Sequence, residues 1–383
     1  MDYKMVYDSR CYYKVISVEY RPLLMIPGPS DPYPEAVETA SKRFLPHYSK
    51  LWLEIYSDVI SKLKKLFGGD DEIILFPGPA TGAVELALNS ILNRGDYIVF
   101  IGRGFFVDRF KHIAEIYGGK IINIASDKLG KRIDIRELEY LFKNLRPKAV
   151  FLVHSETSVG VLEDINLISN VIPDDTFFIV DAVSIFGAIE YKFKRWRIDV
   201  CIGYSSKALG ALPGVVPVMI SERLWSNIRS RDGYKGFIND IRVWREYADK
   251  WKNHPYPVSL PTQVIMSIKG AADRILDEGI KNVEKRHYRV SKLSREYGEN
   301  LGFKPLPDDG VETPTVSVFL LDNKLKADEI ARRLLYENDI MISTTWLIGL
   351  NGLRIGHMGY TANEELVLRT FKALETIINK SSI

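Results

Sequence analysis

The chain has 383 residues, 46% apolar and 26% charged, values that exclude a disordered or low-complexity protein and allow two domains or one large domain with an appendage. Its 52 basic and 49 acidic residues leave a net charge of +3 and are interspersed along the sequence, so no block attracts nucleic acid or acidic lipid. Cys11 and Cys201 are the only cysteines, too few for a disulfide framework or a four-cysteine metal site.

The tyrosine-rich start carries Lys4, Arg10 and Lys14 and no apolar leader-like stretch, and residues 1–22 read as an N-terminal extension. Apolar runs such as Ala149–Val153 fall far short of the roughly 18 residues of a membrane helix. A cytoplasmic protein is therefore expected. Gln263 is the sole glutamine, and Ile, Lys, Arg and Glu abound, a bias of heat-adapted proteins.

Leu51, Ile55, Val59, Leu63 and Phe67 recur at helical spacing before Gly68-Gly69, which predicts an amphipathic helix with a glycine stop. Glu72–Phe76 reads as a strand, and the turn from Gly78 to Gly82 leads into a helix that includes Ala83 to Leu88. Tyr97–Ile101, Lys120–Ile124, Ala149–Val153, Phe177–Val180 and Val200–Gly203 are further strand-like runs, most of them separated by helical or loop-like stretches. This alternation predicts an α/β fold with a mostly parallel sheet covered by helices on both faces. Ligands then gather at the carboxyl ends of the strands.

Beyond Pro261, the spacing of Ile265, Ile268, Ala272, Ile275 and Val283 predicts one connecting helix. A smaller α+β domain follows, with strands at Val316–Leu320 and Leu353–Ile355 and helices at Lys326–Glu337 and Ala362–Ile378. The expected division is an extension at 1–22, a large domain at 23–275 and a small C-terminal domain at 276–383.

Gly102-Arg103-Gly104 follows a strand but lacks the third glycine of a dinucleotide fingerprint, which weakens a nicotinamide-dependent dehydrogenase. Phosphate-binding P-loop, serine-hydrolase and zinc-protease motifs are missing, and the six histidines show no metal spacing. No metal is expected. Asp181 and Lys207, by contrast, each follow a strand-like run. Pyridoxal phosphate needs that pair: a lysine to form a Schiff base and a carboxylate to keep the pyridine nitrogen protonated. The Gly78 to Gly82 turn at a helix start suits a phosphate. Each feature alone has an ordinary alternative: a helix-capping Asp, a surface Lys, a plain strand–helix connection.

Several blocks together carry a resemblance: Pro27-Gly28-Pro29-Ser30, Phe76 to Leu88, His154 to Val161, Val180 to Ser184, Ser205 to Leu209 and Leu353 to Gly359. In this order, across roughly residues 23–375, the sequence is similar to the class V, fold-type I aminotransferases of the alanine–glyoxylate and serine–pyruvate group. The resemblance implies a pyridoxal 5′-phosphate cofactor, a homodimer with shared active sites, and small amino acids and 2-oxo acids as substrates. It makes Lys207 the Schiff-base lysine and Asp181 the partner of the ring nitrogen. Phe106 would stack on one ring face and Val183 on the other, with Gly78, Pro79, Ala80 and Thr81 around the phosphate. Ser158 and Ser206 would lie near the cofactor, and Gly28 and Arg354 near the substrate. Read from the residues alone, Phe106 serves equally as core packing, and a surface salt bridge is the alternative for Arg354, against which its apolar neighbours in a strand-like run argue mildly.

The sequence departs from the family pattern at Pro79, which supplies neither N–H nor hydroxyl, and at Ser206, where the family has Gln. His154 to Val161 and the Asp181/Lys207 pair match closely, whereas the family's Tyr-x-x-Thr segment has only an approximate counterpart around His254-Pro255-Tyr256-Pro257. Thr345 and Trp346 are expected to crowd the substrate pocket. The expected reaction moves an amino group from serine or alanine to pyruvate or glyoxylate. Aminoethylphosphonate or phosphoserine transamination is the alternative within the family. A cysteine desulfurase is disfavoured because Cys201 falls in a strand-like run and Cys11 near the start.

Overall fold

The computed structural model describes residues 21–42, 45–231, 233–322 and 324–381. Apart from Arg21 and Pro22, the expected N-terminal extension, with Cys11, lies outside them. The predicted amphipathic helix spans Lys50–Phe67: Ser49 caps its start by accepting from the Trp52 amide, and Gly68 ends it at φ 67°. Its buried residues are Trp52, Val59, Leu63, Leu66 and Phe67, the stripe that spacing alone dictates.

A seven-stranded sheet follows in the spatial order Glu72–Pro77, Val215–Ile220, Val200–Ile202, Phe177–Asp181, Ala149–Val153, Tyr97–Ile101, Lys120–Ile124. Every pairing is parallel except those of Val215–Ile220, which runs antiparallel to both neighbours. That strand escapes a pattern reading because Pro217 sits inside it, and proline argues against an interior strand; its carbonyl nevertheless accepts from the Gly203 amide at 2.9 Å. Ala149–Val153 and Phe177–Asp181 are buried at every position, as strands covered on both faces must be. The register sets Asp181 beside Val153 on one side and Ile202 on the other.

The expected single connecting helix is two, Thr262–Glu278 and Ile280–Asn300, broken at Gly279. The first packs on Pro34–Ala40 and Lys50–Phe67. The second leads to a four-stranded antiparallel sheet of Lys304–Pro305, Val316–Leu320, Gly352–Gly356 and Ser343–Thr344. Helices Ala327–Asn338 and Glu364–Ser381 pack with it around a second core that includes Phe319, Leu334, Leu353, Val367 and Phe371. Leu23–Leu24 pairs in parallel with Ile340–Met341, and Met25 joins this smaller core. The chain thus leaves the smaller core through Pro27-Gly28-Pro29 and binds the loop after Val200–Ile202, where Ser30 donates its amide to the Ser206 carbonyl at 2.9 Å.

Candidate active site

Asp181 ends its strand with a side chain only 6% exposed, and its Oδ1 accepts from the Val183 amide at 2.8 Å. Burial pushes its carboxyl up to about 7; the Val183 N–H opposes this, Glu156 adds to it and Lys207 opposes it. Lys207 lies on the loop after the adjacent strand, its carbonyl tied to Ser30 Oγ at 2.8 Å. Its Nζ donates to the Pro27 carbonyl. Burial, then the charge of Arg354, push the amine down to about 8, against the pull of Asp181.

Both side chains line one cavity of about 140 Å³, together with Pro79, Ala80 and Thr81 and with Phe106 and Phe110. Val183, Ser184 and Tyr204 come from the same strand-end loops, and Val153, Ser155 and Thr157 complete the wall. The structure therefore brings together Pro79, Ala80, Thr81, Phe106, Asp181, Val183 and Lys207. Tyr204 and Ser184, one and four residues beyond the predicted strand ends, line the cavity too without having been singled out from the sequence.

Pro79 caps helix Ala80–Ile91 with extended backbone and no side-chain bond. The first-turn amides of a helix have no intrahelical acceptors, so Ala80 and Thr81 offer N–H groups at the positive end of the helix dipole. Gly78 turns the chain into this start and donates its amide to the Gly214 carbonyl at 2.9 Å. Ser206 Oγ is buried with no partner, an orphaned hydroxyl next to Lys207. Helix-start amides, an orphaned hydroxyl, an aromatic wall and a buried carboxyl form a donor set that fits a phosphorylated, cationic pyridine.

Arg354 projects from Gly352–Gly356 and is 5% exposed, which removes the surface salt-bridge alternative. Its fork donates to neutral acceptors: Thr344 O at 3.0 Å, Ser343 Oγ at 2.8 Å and Thr157 O at 3.4 Å. Burial pulls it down to about 10, with the Glu156 charge opposing.

The remaining expectations divide. Gly28, Gly78, Ser158, Ser206 and Arg354 are not among the residues lining the cavity; Ser158 Oγ accepts from the Phe105 amide at 3.0 Å. Trp346 is 68% exposed on a short 3-10 turn, and buried Thr345 spends its hydroxyl on the Leu350 carbonyl. Neither crowds the cavity. Tyr256 is buried, accepting from Trp52 Nε1 at 2.9 Å and donating to the His47 carbonyl, so its hydroxyl is held inside its own chain. Cys201 is buried in Val200–Ile202, and burial pushes its thiol well up, an inert setting that counts against persulfide chemistry. Among the described residues no cluster of three or more His, Cys, Asp or Glu side chains is placed to hold a metal, and no helix is long and apolar enough to cross a membrane.

The family model of the class-V aminotransferases matches residues 31–357. The chain belongs to the class V aminotransferases. It is 31% identical to an uncharacterized aminotransferase of Methanocaldococcus jannaschii over 363 residues, 94% of this chain and 93% of that protein. It is 27% identical to a serine–glyoxylate aminotransferase of Arabidopsis thaliana over 374 residues, 93% of this chain and 90% of that protein. The crystal structure of an alanine–glyoxylate aminotransferase from Nostoc shares its fold with a TM-score of 0.89 at 24% identity, covering 97% of this chain and 98% of that one. The fold is accordingly fold-type I. Class V aminotransferases depend on pyridoxal 5′-phosphate and exchange amino groups between amino acids and 2-oxo acids.

Proposed function

We propose that this aminotransferase moves an amino group from serine or alanine to pyruvate or glyoxylate. The observation that carries the reading is that Lys207 and Asp181, at the ends of adjacent strands, face one cavity with Phe106 and the helix start at Ala80. When bound, pyridoxal phosphate supplies an aldehyde that takes up amino groups and a cationic ring that stabilises negative charge at the substrate α-carbon. Lys207 Nζ holds the cofactor and, once released, carries a proton from the α-carbon; an amine lowered to about 8 keeps a useful neutral fraction near neutrality. Asp181 would partner the ring nitrogen, and Phe106 and Val183 would pack against the ring. Gly78, Pro79, Ala80, Thr81 and Ser206 would hold the phosphate, with Ser158 supporting the wall beside it.

Arg354, with Gly28 beside Lys207, receives the substrate. A planar fork held by neutral acceptors is suited to grip a carboxylate bidentately. Among the described residues lining the cavity Lys207 is the one cation, and Arg354 stands outside that lining; a cavity wall that offers no further cation for a distal carboxylate supports small substrates. The name of the Arabidopsis relative, a serine–glyoxylate aminotransferase, supports the same class. The proposal includes a homodimer with shared active sites and a division into a large unit at 23–275 and a small one at 276–383, with strand Leu23–Leu24 lent to the small core.

Borohydride reduction of the holoenzyme followed by peptide mapping is expected to label Lys207, and a panel of donors and acceptors to rank serine and alanine first. A label on another lysine would overturn the site. Preference for aspartate or glutamate would overturn the substrate class while leaving the site intact.

A further inference from the structure

The Gly102-Arg103-Gly104 turn, too short for a dinucleotide fingerprint, opens helix Phe105–Ile116. The first amides of that helix are all met by one short segment of the neighbouring loop. Ser158 Oγ accepts from Phe105 N at 3.0 Å, and Glu156 Oε2 accepts from Phe106 N at 2.9 Å and Val107 N at 3.2 Å. The other oxygen of the same carboxylate, Oε1, accepts from Ser158 N at 2.9 Å. Glu156 is 3% exposed. The helix dipole and charge-assisted bonds that an amide cannot match favour the ionised form of an acid here, against burial, which is the largest influence and raises the Glu156 carboxyl. Gln in its place has one accepting oxygen, and its NH₂ must face an N–H on the other side.

The glycine is part of the same device. A Cβ on Gly104 would lie 2.4 Å from Glu156 Cγ, 2.5 Å from its Cδ and 2.7 Å from Ser158 Oγ. Only a residue without a side chain lets the carboxylate reach the amides.

We propose that Glu156 is the positioning residue that fixes Phe106 against the cofactor ring, by filling the anion site at the start of Phe105–Ile116 with its own carboxylate. The proposal rests on the placement of Phe106 at the ring. It also explains why the cofactor phosphate goes to the other helix start: the Ala80 end is capped by a proline with no side-chain acceptor, whereas the Phe105 end is already occupied. The Glu156 turn reaches the substrate side as well, because the carbonyl of Thr157, between Glu156 and Ser158, accepts from Arg354. One buried carboxylate thereby ties the aromatic wall to the turn that holds the substrate arginine.

The test compares wild type, Glu156→Gln and Phe106→Leu by two measurements. Amide hydrogen exchange over residues 105–107 is read in cofactor-free protein, with strand 177–181 as the internal control, and cofactor release is followed in the holoenzyme by its visible absorption. Glu156→Gln is expected to speed exchange over 105–107 and cofactor release by about tenfold or more, the loss of a charge-assisted hydrogen bond, with the control strand unchanged. Release within about twofold of wild type, or faster release with unchanged exchange over 105–107, overturns the proposal. If Glu156→Gln does not fold, Gly104→Ala displaces the carboxylate sterically, and the same two outcomes decide. Phe106→Leu separates the layers of the argument. Unchanged release in that variant means Phe106 itself is misplaced, whereas faster release there with normal release in Glu156→Gln rejects the role of Glu156 alone.

Discussion

A methyl group on Gly28 would lie 2.4 Å from both Cδ and Nζ of Lys207. The glycine also holds φ at +110°, a conformation that other residues adopt at a cost of about 1–3 kcal/mol. Gly28→Ala is therefore expected to strain the turn and to push the lysine away from its place beside the Pro27 carbonyl. Cofactor capture by the cofactor-free enzyme should slow, and the borohydride label on Lys207 should fall, while circular dichroism reports an intact fold. Capture at the wild-type rate would show that the amine has room the structure does not display.

The amine of Lys207 sheds its proton near pH 8 in the folded chain, but the unfolded chain keeps it to about 10.4. Between those values the unfolded state binds more protons, so the stability of the cofactor-free protein rises with pH across that window. The rate of cofactor capture should likewise rise through about pH 8 and then level, because the neutral amine is the nucleophile. Burial is the larger cause of the lowered value and Arg354 the second. Arg354→Met should therefore move the inflection upward; a downward movement would contradict the electrostatic link.

Asp181 runs the opposite way. The folded chain holds its proton up to about pH 7, whereas the unfolded chain releases it near 3.9. The folded state thus binds more protons in between, and the stability of the cofactor-free protein falls as pH rises through that window and stays low above it. Asp181→Asn should stabilise the cofactor-free protein above pH 7 by about 2–4 kcal/mol. It should weaken cofactor retention at the same time, since the ring nitrogen loses its anion. Thermal unfolding of the cofactor-free proteins at pH 8 and absorption of the holoenzymes read the two signs separately; loss of both would mean a structural role only.

The strand that ends in Asp181 and the strand before the Lys207 loop were legible because strands buried on both faces read as unbroken apolar runs. The helix Lys50–Phe67 was legible because its buried residues repeat at helical spacing. Val215–Ile220 was not, since Pro217 masks an interior strand. The break at Gly279 was not, since the apolar spacing continues across it in Ile275 and Val283. In the site, residue chemistry pointed to Asp181 and Lys207 because a carboxylate and an amine just past apolar runs are visible in a sequence. Glu156 acts on backbone amides 49 and 50 positions earlier, and backbone donors leave no mark in a sequence. Trp346 misled for a related reason: closeness along the chain to Arg354 says nothing about direction, and the short turn at Trp346–Ile348 carries the indole outward.

Arg354 offers the sharpest test of how substrate is held. Its guanidinium is buried, its bonds go to Thr344 O, Ser343 Oγ and Thr157 O, and these fix the plane of the fork without neutralising it. A carboxylate that arrives there gains charge-assisted hydrogen bonds worth about 1.5–3 kcal/mol, equivalent to roughly 10- to 150-fold in binding. Amino donor and 2-oxo acceptor share that carboxylate. Arg354→Ala should therefore raise the KM of serine, alanine, pyruvate and glyoxylate together, and a variant that affected donors alone would contradict a common grip. Arg354→Lys keeps the charge but not the fork, so it should recover only part of the loss. Cofactor retention is the control: Arg354 does not line the cavity that Lys207 and Asp181 share, so the cofactor should stay bound in both variants. Unchanged KM values in Arg354→Ala would take the residue out of the substrate site and leave its burial among neutral acceptors as a purely structural feature.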